Sequence, residues 1–439
     1  MYGQTRKIYD RIHGFIYFDA LESQFIDTWA FQRLHFIRQL GAAFLVYPGA
    51  THTRFEHSIG TMHIASVIYD QIVSTASYYN FSEQILQQQV PEVGSLKYEY
   101  YRKILRLAAL CHDLGHLPFS HTAESALLGT AGHEQWTIRI IQSPEIKKLL
   151  ENFPKDLLRK IFGETDNKQQ ILEDLIKISI GEEKLRKIPG YEKTSFSPWE
   201  RIVSHIITGD FFGADRIDYL LRDSKNTGLA YGFFDYHQLI EMLRIFPSLD
   251  SKENLQLGIE ENGIESCEAL LLARYYMHRR IYQYPSINAY TYHLASFMKN
   301  FYLHGNVLSD LDVYLSLTDA EILSQLNKAA KEPSSPSHRH ALALLKRQGR
   351  FKAIPLKSAI LESDMIRLQK TAQIPEEEIA WQLKQGSEID ATELDFPVIK
   401  KDGRMVRAID ISEIIVPVIS YNWIFVSPQY EQKLRKLLA

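Results

Sequence analysis

The sequence is poor in cysteine and in long apolar runs. Its 439 residues include only two cysteines, Cys111 and Cys267, which lack Cys-x-x-Cys spacing. Two cysteines cannot form a disulfide framework, and a reducing compartment such as the cytoplasm is expected. The N-terminal region lacks the apolar block of a signal peptide, and no stretch approaches the roughly 18 apolar residues of a membrane span. We therefore expect a cytoplasmic protein that does not associate with membranes.

The sequence also lacks a dominant charge. Lys and Arg number 50 and Asp and Glu number 53, which gives a formal charge of -3. This near balance provides no overall basic field for nucleic acid, so nucleic-acid binding is unsupported. Walker A, Gly-x-Gly-x-x-Gly and His-Glu-x-x-His motifs are missing, which leaves ATPase, dinucleotide-binding and zincin functions without their characteristic residues.

The hydrophobic periodicity predicts a mainly α fold in two parts. We expect a helical lobe with small β-hairpins over residues 1–310 and a mixed α+β lobe over residues 311–439. A charged, proline-interrupted stretch at 143–199 is interpreted as an insertion that covers the site as a lid. In the first lobe we expect a hairpin at 7–19 and an Asn262-Gly263 turn after a strand at 255–260. The predicted helices of this lobe are 22–41, 56–78, 101–114, 120–129, 133–142, 199–224 and 266–284. In the second lobe we expect strands at 396–400, 405–409, 414–420 and 423–427 and a helix at 430–438.

The densest group of chemically active side chains lies at residues 111–121, Cys-His-Asp-Leu-Gly-His-Leu-Pro-Phe-Ser-His. Imidazole nitrogen and carboxylate oxygen are ligands of Mn, Fe, Ni and Zn ions, and His112 and Asp113 can each supply one near a helix end. A His-Asp pair alone is common and is usually a helix-end histidine with a solvated neighbour. The case for a metal therefore depends on other motifs.

Two such motifs exist. In the first, Arg54 and His57 lie three residues apart on one predicted helical face, which places a phosphate-binding cation beside a metal ligand. The alternative is a helix-start salt bridge between Arg54 and Glu56. In the second, Asp215 and Tyr219 share a helical face, although this helix alone has an ordinary amphipathic pattern.

His57, the pair His112-Asp113, and Asp215 follow the H…HD…D order, and the sequence resembles the HD-domain metal-dependent phosphohydrolases. The flanking motifs, at 47–60, 112–121 and 215–223, are similar to the deoxynucleoside triphosphate triphosphohydrolase branch of that family. The resemblance implies that the four residues bind a divalent transition metal (Fe, Mn, Ni or Zn), with Mg²⁺ as a candidate additional ion. It also implies that water attacks the α-phosphorus and releases a deoxynucleoside and tripolyphosphate.

The resemblance also implies which side chains bind the dNTP. Those that match triphosphate-binding positions are Arg54, Arg216, Tyr219 and Arg274. Those that match sugar-binding positions are Gln39, Asp223 and Tyr282. Tyr284 stands where histidine is expected, so the preference for base or sugar is left open.

The leaving 5′-oxygen requires an acid, and histidine titrates near the working pH. The candidates are His116, His121 and His133, of which we favour His121, with Arg54 completing the catalytic group. Glu124 is expected to orient an imidazole, that of His133. Each of these histidines has the alternative role of a hydrogen-bonded core residue.

The family resemblance further implies an activating nucleotide, GTP or a dNTP, bound between subunits of a homodimer or homotetramer. The matching residues are Lys7, Asp27, Gln32 and Arg33. His35 replaces an arginine there, and neutral histidine holds phosphate less firmly. Activation is therefore a hypothesis with evidence on both sides.

Two alternatives remain for the function. The same metal site could act on a nucleoside monophosphate, a cyclic dinucleotide or an alarmone, which the triphosphate-binding residues disfavour. The protein could instead be a catalytically weak nucleotide sensor. The full ligand set disfavours that function, because four buried polar groups need a metal to be satisfied.

Overall fold

The computed structural model describes residues 6–77, 89–129, 132–163, 167–251, 254–302, 308, 310–356, 361–384, 394–414 and 421–438. Within these ranges the fold is mainly α-helical with three small sheets, which confirms the predicted fold class. None of the described helices is long and apolar enough to cross a lipid bilayer.

The chain begins with the predicted hairpin, in which β1 (Arg6–Asp10) pairs antiparallel with β2 (Gly14–Phe18). The single helix predicted over 22–41 is wrong. The Thr28 side chain accepts a hydrogen bond from the Phe31 N–H and caps a new helix, which divides the segment. The pieces are the helices Ala20–Ile26 and Trp29–Gln32 and the 3₁₀ turns Arg33–Phe36 and Gly41–Leu45.

Three helices form the centre of the molecule. We call Arg54–Ser74 the central helix, Leu96–Cys111 the second helix, and Ala214–Thr227 the third helix. The central helix packs between the other two. Gly60 permits the close approach of the third helix, because a Cβ there would lie 2.0 Å from Asp218 Oδ1. This contact brings the first turn of the central helix next to the start of the third.

The stretch predicted as a lid contains the helices Pro144–Leu150, Lys155–Phe162, Lys168–Ile180 and Glu182–Leu185. Helix Lys168–Ile180 packs on the second helix, and its apolar residues Ile171, Leu175 and Ile178 are fully buried. This portion is therefore built into the main core. Its end, from Ser179 to Lys184, reaches the cavity described below. A lid function stays a prediction.

The single helix predicted over 199–224 is also wrong. It is two helices, Pro198–Thr208 and the third helix, with a tight loop between them. A Cβ on Gly213 would lie 2.6 Å from Gly209 O, so the loop requires glycine. Two short helices earlier in the chain, Glu124–Leu127 and Gly132–Ile141, follow the second helix. After the third helix come the helix Tyr236–Glu241, strands β3 (Leu243–Pro247) and β4 (Leu255–Glu260), the helix Ile264–Met277, a π-helical turn His278–Tyr282 and the helix Pro285–Tyr302. The predicted Asn262-Gly263 turn is a 3₁₀ turn that leads from β4 into a helix.

The C-terminal part is mixed α+β, as predicted. Its helices are Leu311–Ser316, Asp319–Ala329, His338–Lys346, Glu362–Thr371 and Glu431–Leu438. Its strands are β5 (Lys352–Pro355), β6 (Ile379–Lys384), β7 (Pro397–Ile399), β8 (Met405–Arg407) and β9 (Tyr421–Val426). The strand predicted at 414–420 lies, apart from its first residue, outside the described residues.

Two sheets organise these strands. Strands β5, β9 and β6 form an antiparallel sheet, with Trp381 opposite Ile424. The other sheet has the order β3-β4-β7-β8, and β7 pairs parallel with β4 through Ile259 and Val398. This second sheet joins strands from both sides of residue 310. The division into lobes at that residue stays a prediction.

Candidate functional site

A cavity of about 720 Å³ opens where the central, second and third helices meet. Its size is typical of a small-molecule site. Three of the four predicted metal ligands line it, and the fourth, His57, lies directly behind them. Ligand atoms of His57, His112 and Asp215 lie within 4.8 Å of one another.

The helix ends explain why these residues meet. His57 is in the first turn of the central helix, His112 and Asp113 follow the end of the second helix, and Asp215 is in the first turn of the third. His57 Nε2 lies 2.9 Å from Asp215 Oδ1 and 3.5 Å from Asp113 Oδ2. His112 Nε2 lies 3.5 Å from Asp113 Oδ1 and 3.8 Å from Asp215 Oδ1.

The buried imidazole nitrogens fit a metal ion. Among the described residues, His57 Nε2 and His112 Nε2 have no hydrogen-bond partner of good geometry. The opposite ring nitrogens are fixed, since His57 Nδ1 lies 2.8 Å from Asp218 Oδ2 and His112 Nδ1 lies 2.8 Å from the Ala109 carbonyl oxygen. Metal-binding histidines are commonly oriented in this way, with the free nitrogen facing the ion.

Charge around His57 favours a cation. Burial opposes a charged imidazole, but the neighbouring carboxylates of Asp215 and Asp218 raise the pKa of His57 to about 10. Burial likewise opposes ionisation of Asp113, yet the charges of Arg54, His112 and His116 hold the pKa of that carboxyl well below its usual range. Carboxylates and imidazoles of this kind suit Mn, Fe, Ni or Zn, and a bound divalent ion would supply the positive charge.

The sequence reasoning missed the network behind His57. Asp218 is fully buried and accepts hydrogen bonds from His57, from His13 Nε2 at 2.7 Å and from Arg222 Nε at 2.8 Å. Arg222 also donates to Asp10 at 2.7 Å. The spacing of Asp218, three residues after Asp215 on the same helix, could have indicated this role. Nothing in the sequence indicates that the turn of the N-terminal hairpin supplies Asp10 and His13.

Beside the metal ligands, Glu124 connects two histidines. Its Oε2 lies 2.5 Å from His121 Nδ1, and its Oε1 lies 2.6 Å from His133 Nδ1. Burial opposes ionisation, but these two hydrogen bonds lower the pKa of Glu124, so the carboxylate is ionised. The prediction that Glu124 orients His133 agrees with this geometry. These three residues and His116 also have the spacing of metal ligands, although the hydrogen bonds already satisfy the carboxylate.

We call Glu124, His121 and His133 the Glu124 triad. His116 and Arg54 lie between this triad and the candidate metal ligands. The His116 ring stacks on His133 with centroids 3.6 Å apart, and its Nε2 lies 3.2 Å from Asp113 Oδ1. Burial, with the charges of Arg54 and His133, holds the pKa of His116 well below its usual value. Arg54 forms an ion pair with Asp113 and donates to Ser120 Oγ at 2.8 Å. The alternative salt bridge of Arg54 to Glu56 does not form, and Glu56 instead lies 3.5 Å from Arg222.

Most predicted substrate residues share the cavity. Tyr282 donates to Asp223 Oδ2 at 2.7 Å, and His52 Nε2 lies 2.7 Å from Asp223 Oδ1. The Tyr219 ring contacts the Tyr282 ring edge-to-face with centroids 5.8 Å apart. The cavity is also lined by Gln39 and Arg216. Arg274 instead lines an adjoining pocket of about 470 Å³, which shares Gly209, Asp210 and Arg216 with the cavity.

The four residues predicted to bind an activating nucleotide differ in how accessible their side chains are. Lys7 is exposed and lies 4.7 Å above the Phe15 ring, and Asp27 pairs with Arg6 at 2.5 Å. Gln32 donates to the Ile26 carbonyl at 2.8 Å. Arg33 is fully buried and donates to the carbonyls of Leu114, His116 and Leu317. Arg33 therefore holds the loop after the second helix, and its guanidinium does not face a nucleotide.

The comparisons with known proteins agree with this site. The HD domain family matches residues 54–205. The chain contains an HD domain. Three of the four ligands lie inside the matched residues, and Asp215 lies beyond their end. HD domains bind divalent metals, and the cluster of His57, His112 and Asp215 fits such an ion.

Relatives extend the similarity beyond the HD domain. An uncharacterized protein of Methanocaldococcus jannaschii is 35% identical over 281 residues, which are 64% of this chain and 46% of that protein. The human deoxynucleoside triphosphate triphosphohydrolase SAMHD1 is 28% identical over 373 residues, 79% of this chain and 54% of the enzyme. The chain thus spans about half the length of these relatives. A crystal structure of a hypothetical protein from Aquifex aeolicus has a TM-score of 0.75 and 28% identity, and covers 99% of this chain and 100% of that one.

Proposed function

We propose that the protein is a metal-dependent hydrolase that cleaves dNTPs at the α-phosphorus into a deoxynucleoside and tripolyphosphate. The observation that carries this proposal is one cavity lined by three of the four candidate metal ligands, by Arg216 and by the Asp223–Tyr282 pair. A metal centre, a cation for phosphate and a hydrogen-bonded carboxylate for a hydroxyl are the three groups that a dNTP requires. The similarity to a dNTP triphosphohydrolase supports the same substrate.

Each group has a distinct task in this proposal. A bound divalent metal supplies Lewis-acid chemistry, which lowers the pKa of water and neutralises phosphate charge. Arg216 binds phosphate oxygens, since its Nη1 is buried without a hydrogen-bond partner among the described residues. Asp223 accepts a hydrogen bond from a sugar hydroxyl. Tyr282 and His52 hold that carboxylate in place.

The proton for the leaving 5′-oxygen comes from the Glu124 triad. His121 is the more accessible of its two histidines, with a side chain 67% exposed against 9% for His133. The ionised Glu124 carboxylate fixes the His121 ring through Nδ1, which leaves Nε2 to donate the proton. Arg54 has a positioning role, because its guanidinium already pairs with Asp113.

Product analysis tests the proposal. Metal-loaded protein is incubated with each dNTP, with and without GTP, and the phosphorus products are identified by ³¹P NMR or ion exchange. We expect tripolyphosphate from the wild type and a loss of roughly 1000-fold in His112→Ala, since a metal supplies several kcal/mol of stabilisation. His237→Ala, which changes an exposed histidine outside the cavity, is the matched control.

The other outcomes have clear meanings. Orthophosphate or pyrophosphate as the product would contradict attack at the α-phosphorus. An absence of turnover with every dNTP would redirect the search to nucleoside monophosphates, cyclic dinucleotides and alarmones at the same metal site. Equal rates with and without GTP would contradict nucleotide activation. Sedimentation in the same buffers tests the predicted homodimer or homotetramer.

A further inference from the structure

We propose that Lys184 binds a phosphate group of the substrate's polyphosphate chain and is a specificity-determining residue for that chain. This inference rests on the proposed function. Lys184 lies on the short helix Glu182–Leu185, within the stretch that the sequence predicts as a lid. Together with Ser179 and Ile180 it lines the cavity that contains the metal ligands Asp113 and Asp215.

The cavity has few cations for a highly charged substrate. Within the described part of the chain, the Lys and Arg residues that line it are Arg54, Lys184 and Arg216. Arg54 is already committed to Asp113 and Ser120. A triphosphate carries several negative charges, and Arg216 together with a bound divalent metal would leave part of them uncompensated. Lys184 is the remaining side chain of suitable charge.

The local structure holds Lys184 in place while its ammonium stays accessible. The neighbouring Leu185 is fully buried, which anchors the short helix. Lys184 Nζ lies 2.6 Å from Glu134 Oε1, and this pair joins the insertion to the helix that carries His133. The Lys184 side chain is 55% exposed and Glu134 is 15% exposed. An ammonium has three donors, so Lys184 can keep Glu134 and also bind a phosphate oxygen.

The electrostatic environment keeps Lys184 charged. Burial of the surrounding surface disfavours the ammonium, but Glu134, with smaller contributions from Asp215 and Asp113, raises the pKa of Lys184. Lys184, Asp113 and Asp215 also line the same cavity. A phosphate bound in this cavity beside the carboxylates would therefore share it with the Lys184 ammonium.

Lys187 provides a matched control. It lies three residues further on, pairs with Glu183 at 2.7 Å, and has a side chain 63% exposed. It does not line the cavity. Replacing either lysine removes one charge and one lysine–glutamate pair from the same segment. Inhibition by inorganic tripolyphosphate then reports a direct contact with the polyphosphate, and the thermal midpoint reports any structural effect of losing the Glu134 pair.

The experiment compares wild type, Lys184→Ala, Lys184→Arg and Lys187→Ala, each with measured metal content and thermal midpoint. Steady-state kinetics with one dNTP gives KM and kcat, and inhibition by inorganic tripolyphosphate gives Ki. We expect Lys184→Ala to raise KM and Ki by about tenfold, the scale of one charge-assisted hydrogen bond, with kcat changed by less than about twofold. Lys184→Arg should restore most of both values, and Lys187→Ala should match the wild type.

Two failures are distinguishable. A wild type that forms no tripolyphosphate would contradict the proposed function itself. An active wild type in which Lys184→Ala and Lys187→Ala have equal KM and Ki would overturn only the assignment of Lys184. A lower kcat at unchanged KM and Ki in Lys184→Ala would overturn it as well, because it would show that the lysine does not contribute to binding of the polyphosphate.

Discussion

The molecule contains two groups of buried histidines with opposite surroundings. In the HD domain, His57 lies between Asp215 and Asp218, and these carboxylates raise its pKa to about 10. In the C-terminal half, His293 Nδ1 lies 3.0 Å from His340 Nδ1, between helices Pro285–Tyr302 and His338–Lys346. Burial and neighbouring arginines lower the pKa of His293 to about 3 and that of His340 to about 4.

The difference lies in what each histidine faces. The Phe351 N–H donates a hydrogen bond to His293 Nε2 at 3.1 Å, so the ring proton of His293 is on Nδ1. This Nδ1–H donates a hydrogen bond to His340 Nδ1. This arrangement requires neutral rings and has no place for a cation. His57 instead has a carboxylate at each ring nitrogen, Asp218 at Nδ1 and Asp215 at Nε2. Its Nε2 and that of His112 converge on the carboxylates of Asp113 and Asp215, which suits a metal. Burial alone therefore does not identify a metal-binding histidine; the adjacent carboxylates do.

Acid should destabilise the protein through the neutral pair. Because the folded pKa values of His293 and His340 lie below the unfolded value of about 6.5, the unfolded chain binds protons that the folded chain does not. Their contribution is fully present above pH 6.5 and is lost as pH falls towards 4. We expect a loss of about 1.4 kcal/mol per pH unit for each histidine, or on the order of 5 kcal/mol from pH 6.5 to 4.5. Urea unfolding across this range measures it.

The variant His340→Asn tests whether the His293–His340 pair causes this pH dependence of stability. His340→Asn removes one titrating group, so the slope of unfolding free energy against pH should fall even if stability at pH 7.5 also falls. His338→Asn, a partly exposed histidine on the same helix, is the control. An unchanged slope in His340→Asn would show that the pair is not the source of the acid sensitivity.

The carboxylates of the HD-domain group should control metal affinity. Asp218→Asn keeps the shape of the side chain but removes the charge behind His57, so it should weaken metal binding by about 10- to 100-fold, or roughly 1.4 to 2.7 kcal/mol. Chelator competition with Mn²⁺ measures the affinity. Asp174→Asn changes a carboxylate that is equally buried but bonded to Tyr100 and Gln170, away from any metal ligand. Equal affinities in the two variants would contradict the role of Asp218.

The candidate metal ligands could be named from the sequence because each belongs to a short motif. His57, the His112-Asp113 pair and Asp215 stand at helix ends, and the resemblance to the HD-domain phosphohydrolases implied that they act together. The family resemblance also implied that Glu124 orients His133 and that Asp223 and Tyr282 bind the sugar; their direct hydrogen bond is a finding of the structure. The resemblance, more than local spacing, therefore identified the candidate site.

What the sequence did not reveal depends on long-range packing. The break at Thr28 is a capping event that hydrophobic periodicity does not show. His13 reaches Asp218 from more than 200 positions away, and Lys184 enters the cavity only because helix Lys168–Ile180 packs on the second helix. Arg33 matches an activator position in sequence, yet its side chain turns inward to backbone carbonyls. Such contacts follow from the assembled core.

His52 is intermediate between the metal-binding histidines and the neutral His293–His340 pair, since it is buried beside a carboxylate but is not a candidate metal ligand. Its partner Asp223 receives one hydrogen bond from His52 and one from Tyr282. Tyr282→Phe removes the second donor and should raise KM for a dNTP by about three- to tenfold, roughly 1 kcal/mol, with metal content unchanged. Tyr290→Phe, a fully buried tyrosine outside the cavity, controls for the loss of a hydroxyl. If Tyr282→Phe lowered metal content instead, Asp223 and His52 would belong with the metal-binding group, and the distinction between them would fail.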